Sequence, residues 1–261
     1  MEVFLYIMIG FMVFMLGAAF GSFFNVILCR VPKKEDFIKT RSYCPECKHV
    51  LKWYELVPVF SYLFQRARCR KCQAKMSPQY LLMELFCGGG NLWAFIALGG
   101  IDTNRPIQLI IAFILFPVLV SLSVEDIKIT EIPYWCTGTI AILGVIATVL
   151  SLFPSLPSDT LWYEHLIGAF IISVPFTVFF FLGAMGGGDV HLTASAGLLL
   201  GFAIVPSVLI AFIIGGVFGV VVKATKKRAT ICFGPFLALG IAAGYLYGYK
   251  IIQLYSGFLS L

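Results

Sequence analysis

Residues 3–28 contain no charged side chain, and seven further apolar runs follow them at about 80–99, 106–124, 135–153, 164–183, 190–204, 206–222 and 234–255. A helix of roughly 20 apolar residues spans the hydrocarbon core of a bilayer. Within that core every backbone N–H and C=O must be paired inside the protein, which leaves helices or closed barrels as solutions. Runs this long and continuous, without strict alternation, predict helices. The chain is therefore read as an all-α polytopic membrane protein with about eight transmembrane helices. Composition agrees: 60% of the 261 residues are hydrophobic and 12% are charged. Pro206 is expected to separate the sixth and seventh runs, because proline discourages helix at the residue before it.

The charge that remains is unevenly placed. Twelve of the 19 Lys and Arg residues lie between Arg30 and Lys75. Lys and Arg concentrate in cytoplasmic loops of membrane proteins, so this basic stretch is read as an orientation signal rather than a nucleic-acid surface. The N-terminus is then expected outside and residues 30–79 cytoplasmic. Alternation puts 100–105 outside, 125–134 inside, 154–163 outside, 184–189 inside, the Pro206 turn outside and 223–233 inside. The last of these carries Lys223, Lys226, Lys227 and Arg228, in keeping with that assignment. The first run lacks the basic flank and small-residue cleavage site of a signal peptide and is read as a retained helix.

Three domains are expected: a first transmembrane helix over 1–29, a cytoplasmic domain over 30–79, and a membrane domain over 80–261. The middle one is small enough to need a metal or disulfides. Its cysteines supply the means. Cys44 and Cys47, and Cys69 and Cys72, form two C-x2-C pairs separated by 21 residues, close to the spacing of zinc sites. Four thiolates close a tetrahedral Zn²⁺ site and leave no open position, so the metal is structural. Reducing cytoplasm disfavours disulfides. No internal repeat is evident. The remaining cysteines, Cys29, Cys87, Cys136 and Cys232, read as small apolar side chains.

Two aspartates stand at predicted helix ends on the cytoplasmic side. Asp126 lies in SVEDIKITEIP and Asp189 follows the glycines Gly186, Gly187 and Gly188. Glycines before an aspartate also make an ordinary turn and N-cap, but ionisable residues at the membrane are functional by default. Two helix hairpins side by side would bring the carboxylates together. Such a pair shares one proton. One member takes a proton from water while the other donates to a scissile carbonyl. The glycines would admit backbone close to a bound peptide and accept positive φ. Position alone leaves Glu125 and Glu131 beside Asp126 as alternatives. Glu84 and Asn25 are further polar residues in apolar context, and Gly17 and Gly21 read as a close helix contact.

These motifs together resemble the bacterial type IV prepilin peptidases, bifunctional leader peptidases and N-methyltransferases of the GxGD aspartic protease group. The likeness is carried in order by GSFFNV at 21–26, the cysteine loop at 44–72, YLLMEL at 80–85, DIKITEIP at 126–133, GGGD at 186–189 and FGPFLALG at 233–240. The resemblance implies Asp126 and Asp189 as the catalytic pair, with Gly186, Gly187 and Gly188 in the active-site loop. It implies cleavage of the basic leader of type IV prepilins and pseudopilins at the cytoplasmic membrane face, and S-adenosylmethionine-dependent methylation of the new N-terminal residue. Residues 30–79 with Glu84 and Asn25 would then serve methyl transfer or substrate contact. No Gly-rich cofactor fingerprint of the Rossmann type is visible.

The alternatives are an intramembrane GxGD protease without methyltransferase activity, an archaeal-type preflagellin peptidase, or an aspartate-dependent transporter. The missing YD motif, the cysteine tetrad and the membrane-edge position of the aspartates speak against these in turn. Two positions depart from the family. His191 stands where Lys is usual two residues after the second aspartate, and Ala184 where Gly is usual.

Overall fold

Every apolar run becomes helix in the computed structural model, which describes residues 2–31, 36, 41–103, 105–153, 160–225 and 232–259. The helices are α1 (Glu2–Arg30), α2 (Phe60–Phe64), α3 (Pro78–Ala97), α4 (Pro106–Ile129), α5 (Tyr134–Leu150), α6 (Trp162–Ile171), α7 (Ser173–Phe181), α8 (Gly187–Leu200), α9 (Ile204–Thr225) and α10 (Gly234–Leu259). Among the described residues there is no strand, only two isolated bridges. Six helical stretches of the described residues are long and apolar enough to cross a membrane, and α5 is a shorter apolar helix. The 36-residue stretch Gly187–Val222 is far longer than one crossing needs. It is two helices. The chain is a multi-pass membrane protein.

The break between those two helices is not at Pro206. It falls at Gly201–Ala203, a 3-10 turn opened by Gly201 at φ +58. Glycine takes that conformation without steric cost. Pro206 sits inside the first turn of α9, where its missing N–H has no intrahelical partner to lose. The fifth run is likewise divided, into α6 and α7 at Ile172. Residues 154–159 and the basic residues Lys226, Lys227 and Arg228 lie outside the described residues.

The chain forms two compact units, Met1–Pro117 and Val118–Leu261. In the first, α1 packs along α3. A Cβ on Gly17 would stand 2.8 Å from the Asn91 side chain, and one on Gly21 2.8 Å from Cys87 Cβ. This is the small-residue contact that close membrane-helix packing requires. Between α1 and α3 lies the extramembrane segment bearing α2.

In the second unit α8 is central, touching α5, α6, α7, α9 and α10. Its inward residues Leu192, Thr193, Ala196, Gly197, Leu199 and Leu200 are buried. Gly168 of α6 and Gly197 meet backbone to backbone, and α10 lays Gly240, Gly244 and Gly248 against Ser207 and Ala211 of α9 and Ala203 of the turn before it. At the far end His165 is buried between the Thr160 hydroxyl, 2.8 Å away, and the Leu198 carbonyl, 2.9 Å away. This scaffold holds the N-terminal end of α8, where Asp189 sits.

Candidate active site and metal centre

Helix α4 runs further than its polar sequence suggests. Asp126 is inside it, one turn from the end, rather than in the following loop. The helix stops at Thr130, which takes φ +53 and returns its N–H to the Asp126 carbonyl at 2.9 Å. Asp126 is buried, at 6% exposure. Its Oδ2 accepts the Gly234 N–H at 2.8 Å. Gly234 is the first residue of α10. The first N–H groups of a helix have no partner within it and carry its positive dipole end, so the carboxylate meets a preformed donor. A Cβ on Gly234 would lie 2.6 Å from the same oxygen, which leaves room for glycine alone.

Asp189 is reached from the other direction. Gly186 caps α8, and Asp189 is its third residue, with its N–H directed to the Gly186 carbonyl at 3.2 Å. An acidic side chain in a first helical turn is favoured by the helix dipole. The Thr193 hydroxyl donates back to the Asp189 carbonyl at 2.9 Å. The Asp189 and Asp126 carboxylates are near enough for their charges to interact. The fold thus carries both sequence-predicted aspartates in the second unit, with their motifs in contact through Gly188 and Ile132.

The three glycines have separate jobs. Gly188 lies under Ile132 of the α4–α5 connection, and a Cβ there would meet the Ile132 Cβ at 2.9 Å. That contact seats one aspartate motif on the other. Gly187 faces the Phe180 ring, and Gly186 lies beside Asp189 Oδ2, so a side chain there would begin 3.6 Å from that oxygen. Positive φ is carried by Gly183, at +73, and not by the run itself. Close approach is therefore the feature these glycines supply. Glu131 is exposed in the connection and Glu125 half-buried beside Lys128; Asp126 is the carboxylate that accepts from α10. His191, one turn into α8 and exposed, sets its ring edge-on to Tyr134 with centroids 5.8 Å apart.

Residue type and spacing do not single out Gly234, Ile132 or Tyr134. The one signal for Gly234 is its place in the FGPFLALG stretch.

In the first unit the four cysteine sulfurs lie within 4.8 Å of one another. Cys44 and Cys72 are 3.8 Å apart and Cys47 and Cys69 3.9 Å apart, sulfur to sulfur. Thiolates at the corners of a tetrahedron with Zn–S bonds near 2.3 Å stand about 3.8 Å apart. The donor set and its spacing are compatible with zinc. The two pairs are built alike. Lys48 bonds back to Cys44 and Cys44 to His49; Gln73 bonds back to Cys69 and Cys69 to Ala74, all at 2.9 Å. Lys48 and Gln73 both take positive φ, and bridges Tyr43–Val50 and Arg68–Lys75 close the two turns. This is a local structural repeat that the sequence conceals. Backbone N–H groups of Cys72 and Lys71 aimed at the Cys69 sulfur hold its thiol down to about 7, while desolvation and the neighbouring sulfurs push the Cys72 thiol up to about 12, so the first thiolate of the cluster forms at Cys69.

Glu84 and Asn25 lie in the same unit. Glu84 is buried, and its Oε2 accepts the Val59 N–H at 2.7 Å. Val59 is the centre of a γ-turn, at φ +64 and ψ −55, with Phe60 N–H on the Pro58 carbonyl at 2.7 Å. That conformation is rare and strained for a β-branched residue. Asn25 is fully buried, with Oδ1 accepting from Gln79 at 2.8 Å and Nδ2 without a partner.

Comparison with known proteins agrees with this layout. Residues 15–98 match the bacterial peptidase A24 N-terminal domain, and residues 113–220 match the type IV leader peptidase family. A prepilin leader peptidase/N-methyltransferase of Bacillus subtilis (strain 168) is 31% identical over 248 residues, covering 93% of this chain and 96% of that protein. The Myxococcus xanthus (strain DK1622) protein of the same name is 34% identical over 224 residues, covering 83% of this chain and 64% of its own. A third from Vibrio cholerae is 34% identical over 215 residues, covering 74% and 80%. No solved structure matches the chain. The chain belongs to the type IV leader peptidase family.

Proposed function

We propose that this protein removes the leader peptide from type IV prepilins or pseudopilins and then methylates the exposed N-terminal amine. The observation that carries the reading is the convergence of Asp126 and Asp189 at two helix N-termini in the second unit. In this reading the pair shares one proton. The ionised carboxylate takes a proton from water, whose oxygen adds to the scissile carbonyl. The protonated carboxyl donates to the carbonyl oxygen. Collapse of the tetrahedral intermediate expels the amine, which leaves with a proton from the pair. Gly234 N–H holds Asp126 in register, and Gly186 keeps side-chain bulk away from Asp189.

The tetrad of Cys44, Cys47, Cys69 and Cys72 holds one structural Zn²⁺, which fixes the two knuckles against each other. Methyl transfer belongs to the first unit. S-adenosylmethionine supplies the methyl group, and the orphaned Nδ2 of buried Asn25, near the α1–α3 contact, supports placing Asn25 and Glu84 at that step. The protein lies in the bacterial cytoplasmic membrane with its N-terminus outside and residues 30–79 in the cytoplasm, as the placement of Lys and Arg supports. A prepilin leader is basic and then apolar, so its cleavage site would fall at that face.

Intact mass of a synthetic prepilin incubated with the purified chain tests both activities. Loss of the leader without the methyl donor, and one further methyl with it, is the expected result. An unchanged substrate under both conditions would reject the reading.

A further inference from the structure

The extramembrane segment of the first unit bears an apolar surface that no described residue covers. Helix α2 shows Leu63 and Phe64 to solvent, Phe64 at 80% exposure, and Phe60 stacks on Phe64 with centroids 6.4 Å apart. The Trp53–Glu55 turn touches α2 and adds Trp53 at 78% exposure. Aromatic side chains held this far out have a cost in water that a purely structural role does not explain.

The depth of this surface is set by one hydrogen bond. Val59, which immediately precedes α2, donates to Glu84. Glu84 lies in the second turn of α3, about 9 Å along the axis from its start at 1.5 Å per residue. α3 has 20 residues, a length of about 30 Å that matches the hydrocarbon thickness. The start of α2 is thereby held about 9 Å along α3 from the level where that helix enters the membrane, within the depth that an interfacial segment reaches. The chain following α2 is basic and exposed at Arg66, Arg68, Arg70 and Lys71. Within 41–77 the single exposed acid is Glu46, because Glu55 is buried against Lys52 N–H, His49 and Arg70.

We propose that α2 and Trp53 form an interfacial anchor. The aromatic face seats in the headgroup–acyl boundary of the leaflet that α1 and α3 cross, and the basic residues meet anionic phospholipid headgroups. Aromatic residues at the headgroup level and basic residues above them are what such a boundary selects. The anchor ties the metal-binding knuckles to the membrane surface at a third point, between the ends of α1 and α3. It rests on depth, exposure and charge, and stands apart from the assignment of either activity.

The test uses the full chain in nanodiscs of phosphatidylglycerol and phosphatidylethanolamine, with lipid brominated near the headgroup end of its acyl chains. In a Phe64→Trp variant with unchanged zinc content, the added emission should be lost to brominated lipid and be closed to aqueous iodide, as for a side chain seated in the headgroup–acyl boundary. Relative to the unaltered chain, Trp53→Phe should lose a brominated-lipid-quenched component. In phosphatidylcholine alone the quenching should weaken. Added emission open to iodide and indifferent to brominated lipid would overturn the proposal. Equal quenching in both lipids would overturn the headgroup contact. Quenching displaced by a saturating synthetic prepilin would assign the surface to a protein helix instead.

Discussion

Gly234 donates its backbone N–H to Asp126 Oδ2 at 2.8 Å across 108 positions of sequence. The bond joins the last turn of one membrane helix to the first residue of another. A buried hydrogen bond to a charged group contributes about 1.5–3 kcal/mol, and here it also fixes where one carboxylate of the proposed pair points. Gly234→Ala puts a carbon 2.6 Å from that oxygen, so the carboxylate must move. A displacement of about 1 Å in a reacting group lowers a rate roughly 100-fold. Leader cleavage by Gly234→Ala should fall by about that factor, while methylation of a pre-cleaved pilin stays near wild type. Equal loss of both activities would point to general misfolding.

The cysteine tetrad predicts a separable defect. Cys44→Ser should release the metal and loosen residues 41–77, because three thiolates hold Zn²⁺ far less well than four. Acidification should do the same, since thiolates bind metal and thiols do not. Metal analysis of the variant and of wild type across pH checks this. Equal zinc content in variant and wild type would refute the site.

Glu84 holds a strained turn. Glu84→Ala removes the acceptor of the Val59 N–H and should cost the first unit about 2 kcal/mol. Glu84→Gln keeps an acceptor oxygen and should cost less. Val59→Gly takes the same positive φ without a Cβ penalty and should recover part of the loss in the Ala background. Hydrogen exchange at residues 57–64 reads the effect directly. No recovery would mean that the γ-turn stores no strain.

Much of this architecture is legible in the sequence for a simple physical reason: apolar runs in a bilayer have few ways to satisfy their backbone. The tetrad is legible because metal ligands need fixed spacing. The boundaries are less so. Asp126 looks like loop because its neighbours are polar, yet the helix continues to Ile129. Pro206 looks like the break between α8 and α9, yet Gly201 makes it. The two knuckles share a hydrogen-bond pattern while sharing little sequence beyond their cysteines. Contacts such as Gly234 on Asp126, or Ile132 on Gly188, depend on which helices pack together, and no local pattern encodes that.

The central claim is that Asp126 and Asp189 cleave as a pair. Asp126→Asn and Asp189→Asn are each isosteric, and each keeps an oxygen able to accept a backbone N–H. The measurement is the intact mass of a synthetic prepilin after incubation with wild type and with each variant. A pre-cleaved pilin and S-adenosylmethionine run alongside as a check on the fold. The account predicts that both variants leave the leader attached and still methylate the pre-cleaved chain. Leader removal by either variant at a rate near wild type would contradict it.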